Sequence, residues 1–312
     1  MILKLLGGIL PLFSLPLWSQ NVQRPEIIGI ATVSFYAHDP AASRVFYHEM
    51  LGFDEPFDLK NPDGSTSLDF FKVNDRQYIE VEPEKNAGTE RLKYVAFEVR
   101  NAEAIRKYLS EHGVPTPDHV TAGRSGNLNL TIKDPQGVAI AFVQRLPASL
   151  TSRSHGKDMP QTRISSRIMH VGFVVTKLEE ELKFYEDVLG FREFWRGSSN
   201  GQTLSWINLR LPDSQDYIEL MLYGEAPAPD KQGSANHVCL EVPDAQASAG
   251  ILAHRAGEIG YKRAIEVHTG KNGKRIINLF DPDGTRTEVM EPHTIDGNPA
   301  PSSTAPPPRS RL

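Results

Sequence analysis

Apolar and polar positions alternate along many short stretches of this chain, a pattern typical of half-buried β-strands. In the second half of the chain the alternation covers Met169–Val175, Tyr217–Tyr223 and Thr285–Met290. Each group of strands contains one stretch with helical spacing of apolar residues, for example Leu178–Leu189. The order strand, helix and three strands occurs twice between residues 168 and 292. One helix for every four strands predicts an α+β fold with curled mixed sheets.

The chain contains this segment twice. The stretch that begins at Thr32 aligns with the stretch that begins at His170, and both run through a helical pattern into the letters LGF. The offset between the copies grows from 138 residues at this pair to 147 residues at Asp134 and Asp281, as small loop insertions would produce. Self-similarity of this length predicts two tandem domains of one fold. The chain should therefore hold four βαβββ modules that form two cupped mixed sheets.

The pattern divides the chain into five segments. We expect a signal peptide at residues 1–20, a first domain at 27–145, a linker at 146–167, a second domain at 168–292 and a disordered tail at 293–312. The linker is polar and rich in serine. The tail is rich in proline, serine and alanine, a composition that favours disorder.

The N-terminus indicates export. Lys4 is followed by an apolar run that ends near Trp18 and contains two prolines. Such a run is too short and too broken to span a membrane, and it suits the core of a signal peptide, although no small-x-small cleavage pattern precedes Gln20. We predict a periplasmic or secreted protein with no stable membrane anchor after signal removal. A buried N-terminal helix is the alternative.

Composition narrows the possible partners. The net charge of −5 provides no basic patch, so the sequence predicts no binding of nucleic acid. Cys239 is the single cysteine, which excludes a disulfide within the chain and a metal site built from cysteines. A small-molecule partner is the remaining expectation.

Four strands of the second domain each carry one candidate metal ligand. Each module contributes a histidine from its first strand and a glutamate from its last strand: His170, Glu219, His237 and Glu288. Alone, such a histidine is an ordinary core residue, and Glu219 could pair with an arginine such as Arg210. Their equivalent positions in two modules predict instead that all four meet on the concave face. Two imidazoles and two carboxylates suit a divalent metal such as Zn, Ni, Co, Mn or Fe(II).

Together these motifs resemble the vicinal oxygen chelate superfamily, which includes glyoxalase I, bleomycin-resistance proteins, methylmalonyl-CoA epimerase and type I extradiol dioxygenases. The resemblance covers roughly residues 27–292. It rests on the LGF after the first helix and on the letters HVGF, NHVCLEV and NLFDPDGTRTEVMEP. It implies paired βαβββ modules that form a cup around a metal. His170, His237 and Glu288 match three common ligand positions, and Glu219 matches a fourth that the glyoxalase and epimerase branches use.

The first domain departs from this pattern. Thr32, Tyr94 and Ala141 stand at the positions of the two histidines and the last glutamate, and only Glu80 remains. One carboxylate cannot hold a metal strongly, so we expect this domain to be metal-free. Packing is its first expected role, and shaping the mouth of the second site or forming an independent ligand pocket are alternatives.

Three functions fit the sequence. The first is a metal-dependent lyase or isomerase acting on vicinal oxygens, in which Glu219 or Glu288 moves a proton. The second is an extradiol-type Fe(II) dioxygenase, although Asn278 stands where those enzymes carry a tyrosine. The third is a non-catalytic binding protein of the bleomycin-resistance type. The residues expected to line the substrate pocket are Trp206, Asn208, His268 and Asn278.

Overall fold

The computed structural model describes residues 23–309, so the predicted signal peptide lies outside the described residues. Within that range, none of the helices combines the length and the apolar character that a membrane crossing requires. The described residues form two eight-stranded mixed sheets, each built from one of the two sequence repeats. The predicted α+β fold of tandem cupped sheets is confirmed.

The first repeat forms two βαβββ modules, and a short helix follows in the linker. Its strands are β1 (Ile27–Ala37), β2 (Asp58–Lys60), β3 (Thr66–Lys72), β4 (Tyr78–Pro83), β5 (Leu92–Val99), β6 (Thr121–Ala122), β7 (Leu128–Lys133) and β8 (Ala139–Gln144). Its helices are α1 (Pro40–Arg44), which continues as a π-helical turn over Val45–Met50, and α2 (Ala102–Glu111); the linker helix is α3 (Leu150–Arg153).

The second repeat has the same order of strands and α-helices, with an additional 3₁₀ helix between its two modules. Its strands are β9 (Ile168–Val175), β10 (Arg192–Gly197), β11 (Trp206–Arg210), β12 (Tyr217–Leu222), β13 (His237–Glu241), β14 (His268–Thr269), β15 (Lys274–Phe280) and β16 (Arg286–Thr294). Its helices are α4 (Leu178–Leu182), which continues as a π-helical turn over Lys183–Val188, a 3₁₀ helix (Pro229–Ser234) and α5 (Ala245–Ile259).

The strand order is the same in both sheets. The first reads β2-β3-β4-β1-β5-β8-β7-β6 and the second reads β10-β11-β12-β9-β13-β16-β15-β14. In the second sheet β9 pairs parallel to β12 and antiparallel to β13, so the first strands of the two modules lie side by side at the centre. The residues of β9 that face away from the cup, such as Val171 and Phe173, are fully buried in the main hydrophobic core. One face of each sheet is thus held by packing, which leaves the other free to carry chemistry.

The two domains meet through a reciprocal pair of hydrogen bonds. The hydroxyl of Tyr47 in the first domain donates to Asp281 in the second at 3.3 Å, and the hydroxyl of Tyr185 in the second donates to Asp134 in the first at 3.2 Å. Each aspartate also accepts backbone N–H groups of its own Asp-Pro turn. Because the residues are equivalent in the two repeats, the two domains are related at this interface by a pseudo-twofold axis.

One expectation requires correction. The tail expected to be disordered after residue 292 instead continues β16 and then packs against the second sheet as far as Arg309. Pro306 accepts a hydrogen bond from the N–H of Leu204 at 2.8 Å, and Ser303 donates to the carbonyl of Arg196 at 2.9 Å. Composition predicted disorder because proline has no backbone N–H with which to form regular secondary structure. In the folded protein, neighbouring loops and strands supply hydrogen-bond partners for the carbonyl groups and the remaining N–H groups of the tail.

Candidate metal centre

The sheet register of the second domain brings the four predicted ligands together. Strands β9, β12, β13 and β16 are neighbours at the centre of the sheet and carry His170, Glu219, His237 and Glu288 respectively. All four side chains are at least nine-tenths buried, with His170 at 1% and His237 at 0% exposure. Burial of two imidazoles and two carboxylates in one place is costly unless each group finds a partner.

The ligand atoms converge. The Nε2 atoms of His170 and His237 lie 3.0 Å apart. Glu288 Oε2 lies 3.4 Å from His170 Nε2 and 3.6 Å from His237 Nε2, and Glu219 Oε2 lies 3.6 Å from His237 Nε2. Neighbouring ligands of a first-row cation with bonds of about 2.1 Å are themselves about 3.0–3.5 Å apart. The spacing between these atoms therefore fits a single divalent ion.

The hydrogen bond of His237 leaves a lone pair of its ring directed at this point. His237 Nδ1 lies 2.7 Å from the carbonyl oxygen of Ala235, which can only accept, so this nitrogen carries the proton and Nε2 is bare. Arg286 Nη2 lies 3.0 Å from the same Nδ1, but two donors cannot bond to each other, and the shorter contact with the carbonyl fixes the tautomer. His170 stacks on the ring of Tyr217 with ring centroids 4.5 Å apart, which holds its orientation.

Electrostatics gives the two carboxylates different characters. Burial, reinforced by the charge of Glu288, raises the pKa of Glu219 to about 8. Burial would also raise the pKa of Glu288, but Arg286 and the two imidazoles outweigh it and hold the pKa below its ordinary value. Burial lowers the pKa of both histidines, and for His237 the neighbouring Arg286 lowers it further. Both imidazoles are therefore neutral at pH 7, as metal binding requires.

Gly172 makes room for one of the ligands. A Cβ atom at this position would lie 2.0 Å from Cε1 of His237, on the strand directly opposite. The equivalent residue of the first domain is Ser34, which faces Tyr94 across the same pair of strands. A side chain at residue 172 is thus incompatible with the observed position of the His237 ring.

The predicted pocket residues lie around the centre. Each glutamate has an asparagine directly opposite it on the next strand, Asn208 for Glu219 and Asn278 for Glu288. A cavity of about 350 Å³ opens onto both glutamates, and Trp206, His268 and Asn278 line it. The amide of Asn278 lies 3.4 Å from His268 Nε2. Asn208 borders an adjoining cavity of about 330 Å³ instead.

Sequence reasoning missed Arg286 and Cys239 as residues of the site, and for Lys274 it favoured a solvated loop. Arg286 pairs with Glu288 at 2.9 Å and lines the cavity; its position two residues before Glu288 on the same strand was a usable signal. Lys274 is half-buried and lines the adjoining cavity, but only the fold brings the start of β15 to the cup. Cys239 lies beside His170 and Glu288. Burial and the two glutamates raise the pKa of its thiol well above the ordinary value, which makes it a poorer ligand than the carboxylates.

The first domain has the same sheet topology as the second but lacks three of the four ligand residues. Tyr94 occupies the position of His237, and its hydroxyl donates to Glu80, the equivalent of Glu219. Burial raises the pKa of Glu80 to about 7. Thr32 and Ala141, which replace His170 and Glu288, offer no nitrogen or carboxylate. This cup thus offers a single carboxylate, and a metal-free first domain remains a prediction.

Comparison with known proteins identifies a family whose sequence profile matches both repeats. The sequence profile of the Glyoxalase/Bleomycin resistance protein/Dioxygenase superfamily matches residues 29–142 and again residues 167–289. A search of curated proteins gives no match.

Solved structures share the fold at low sequence identity. The Mn(II)-bound glyoxalase from Novosphingobium aromaticivorans has a TM-score of 0.67 at 18% identity, over 91% of this chain and 88% of that chain. An extradiol ring-cleaving dioxygenase from B. fuscum has a TM-score of 0.67 at 20% identity, over 91% of this chain and 77% of that chain. Together with the profile match in both repeats, this similarity shows that the chain belongs to the Glyoxalase/Bleomycin resistance protein/Dioxygenase superfamily.

Proposed function

We propose that the chain is an exported, divalent-metal-dependent lyase or isomerase that acts on a small molecule with vicinal oxygens. His170, His237, Glu219 and Glu288 would hold the ion, and the cavity beside them would hold the substrate. The observation that carries the proposal is the position of Glu219, whose carboxylate lies 3.6 Å from His237 Nε2 within the same cluster. Four protein ligands on a six-coordinate ion leave two positions, enough for a substrate with two adjacent oxygens and too few for an additional O₂.

The two glutamates are suited to moving a proton. A bound divalent ion would polarise adjacent substrate oxygens and so acidify the neighbouring C–H bond. Glu219 or Glu288 would accept that proton at a carboxylate oxygen and return it to the adjacent carbon. Glu219 is the stronger candidate, because Arg286 pairs with Glu288 at 2.9 Å and restrains it.

Other residues of the cavity would orient the substrate. Arg286 lines the cavity, and its Nε atom is buried without a hydrogen-bond partner among the described residues. It would bind a polar or anionic oxygen of the substrate. The indole rings of Trp195 and Trp206 line the same cavity and would pack against the carbon skeleton.

A second candidate function is an extradiol-type Fe(II) dioxygenase, in which His170, His237 and Glu288 form a facial triad. One observation favours it. His268 lines the cavity beside Asn278, where an imidazole could exchange a proton with a phenolic substrate. In this mechanism Glu219 would not coordinate the ion, and its position would be free for O₂.

A pair of assays on the metal-reconstituted full chain separates these functions. Solvent-deuterium exchange is measured with α-hydroxycarbonyl compounds under Mn, Zn, Ni or Co, and O₂ uptake is measured with catechols under Fe(II). We expect exchange in the wild type, loss of exchange in Glu219→Gln, and full exchange in the matched first-domain variant Glu80→Gln. Rapid O₂ uptake that survives Glu219→Gln would establish the dioxygenase instead. Silence in both assays, with tight binding of a small molecule, would indicate a non-catalytic binding protein.

Export is a separate part of the proposal, supported by the apolar run after Lys4. Mass spectrometry of the mature protein isolated from its native source should show that about the first twenty residues are removed. A mature protein that begins at Met1 would contradict export through this signal.

A further inference from the structure

The cup of the first domain is open where packing would have filled it. A cavity of about 230 Å³ lies on the concave face of the first sheet, and Thr32, Glu80, Tyr94 and Ala141 line it. These are the positions of the four ligands in the second domain. Packed interiors leave few voids larger than a water molecule, so a cup that served only packing would be closed by larger apolar side chains.

The walls of this cavity differ in chemistry. One wall, from β2 to β4, is apolar and aromatic and includes Leu68, Phe70 and Tyr78. The other wall, formed by the loop after β6 together with β7 and the end of β8, is polar and includes Arg124, Asn129 and Arg145. The guanidinium group of Arg145 lies over the ring of Tyr78, 5.7 Å from its centroid, so the two walls meet there. Such a division suits a ligand with an apolar body and one charged end.

The charge at the polar wall is positive. Arg124 reaches across the mouth of the cup and donates to Ser67 and to the carbonyl oxygen of Lys60, and no carboxylate of residues 23–309 pairs with it. Arg145 has its Nη1 atom buried without a hydrogen-bond partner, although its Nε lies 3.3 Å from Glu98. Among the acids at the cavity, Glu82 is paired with Lys93 and Glu80 accepts the hydroxyl of Tyr94. Two guanidinium groups therefore retain donors for an anion.

A further polar atom lacks a partner. The Oδ1 atom of Asn129, which lines the cavity, is buried and accepts no hydrogen bond from residues 23–309. A buried polar group left unpaired is destabilising. Together with Nη1 of Arg145, it leaves one acceptor and one donor unpaired in residues that line the cavity.

We propose that the first domain binds a small organic carboxylate with an apolar, ring-like body, with its carboxylate between Arg124 and Arg145 and its ring against Phe70 and Tyr78. This site is independent of the metal centre. It requires no metal, because the ligand is held by guanidinium groups and aromatic packing.

The test is isothermal titration calorimetry of the full chain, stripped of metal, with benzoate as the probe and benzyl alcohol as its uncharged counterpart. Benzoate should bind to the wild type and benzyl alcohol should bind at least tenfold more weakly. Arg124→Ala should weaken benzoate at least tenfold, whereas Arg100→Ala, at an exposed arginine outside the cavity, should have no effect.

Two further variants locate the bound probe. Ala141→Phe should abolish binding by filling the cavity, and Arg286→Gln, in the other domain, should leave it unchanged. If Ala141→Phe does not fold, Arg124→Ala decides alone, because Arg124 is exposed. Absence of benzoate binding, equal binding of benzyl alcohol, or loss of binding in Arg286→Gln but not in Arg124→Ala would each overturn the proposal. None of these measurements involves turnover, so the result is independent of the proposed reaction.

Discussion

The two domains of this chain share one sheet topology and differ at the centre of the cup. In the second domain His170, His237 and Glu288 converge within 3.0–3.6 Å, and Glu219 lies 3.6 Å from His237. In the first domain the same positions hold a threonine, a tyrosine and an alanine beside one glutamate. The fold is carried by the buried face of each sheet, which is apolar in both domains, while the concave face is free to change. One backbone can thus carry a candidate metal centre in one copy and an apolar-and-cationic cavity in the other.

The largest effect should come from truncating the residue at the same position of each cup. His237→Ala should lower metal affinity on the order of 10²–10³-fold, since a four-ligand site with about 10–16 kcal/mol of binding free energy loses roughly a quarter of it. Tyr94→Ala, at the equivalent position of the first domain, should leave metal affinity unchanged. Calorimetric titration with Mn²⁺ or Zn²⁺ measures both. Equal losses in the two variants would remove the distinction between the cups.

A smaller effect should follow from a change that touches no ligand atom. Gly172→Ala places a methyl group where the ring of His237 lies, so the imidazole must move. Displacing a ligand in this way should cost about 10–100-fold in metal affinity, the range seen when a ligand loses its support. Ser34→Ala is the matched control in the first domain and should have no effect. Wild-type affinity in Gly172→Ala would show that the ring position is not required.

The interface gives a test that depends on pH. Glu181 of the second domain is fully buried, and neither of its carboxylate oxygens has a hydrogen-bond partner among the described residues, whereas its counterpart in the first domain is Ser43. Burial, reinforced by Asp134, raises the pKa of Glu181 from 4.5 to about 8. The folded state therefore keeps a proton that the unfolded state releases, and the free energy of unfolding falls as pH rises between these values.

Glu181→Gln removes the loss of stability that the wild type suffers as pH rises. At pH 9 the variant should be more stable than the wild type by about 1–3 kcal/mol, and at pH 4 the two should be nearly equal. Urea denaturation at both values measures the difference, with Ser43→Ala as a control that adds no pH dependence. A wild type that gains stability relative to Glu181→Gln as pH rises would contradict the assignment.

The smallest effect should be equal in the two domains. Tyr47→Phe and Tyr185→Phe each remove one of the two reciprocal hydrogen bonds to an aspartate. Each should lower the free energy of unfolding by about 0.5–1.5 kcal/mol, and the two losses should match. Urea denaturation measures both losses. A large difference between them would show that the two hydrogen bonds, although geometrically equivalent, stabilise the protein unequally.

The sequence predicted the fold and the four candidate ligands because both depend on local periodicity and on the repeat. The alternation in β9, for example, places His170 on one face and Val171 on the other, whatever the partner strands are. The position of Lys274 beside the cavity and the packing of the tail could not be settled this way. Their positions depend on which strands and loops become neighbours in space, and a single sequence does not show this.

The central claim is that one divalent ion binds per chain, and only in the second domain. The most direct measurement is anomalous diffraction from crystals of the full chain grown with Mn²⁺. The account predicts a single anomalous peak enclosed by His170, Glu219, His237 and Glu288. A peak beside Glu80 in the first domain, or no peak among these four residues, would contradict it.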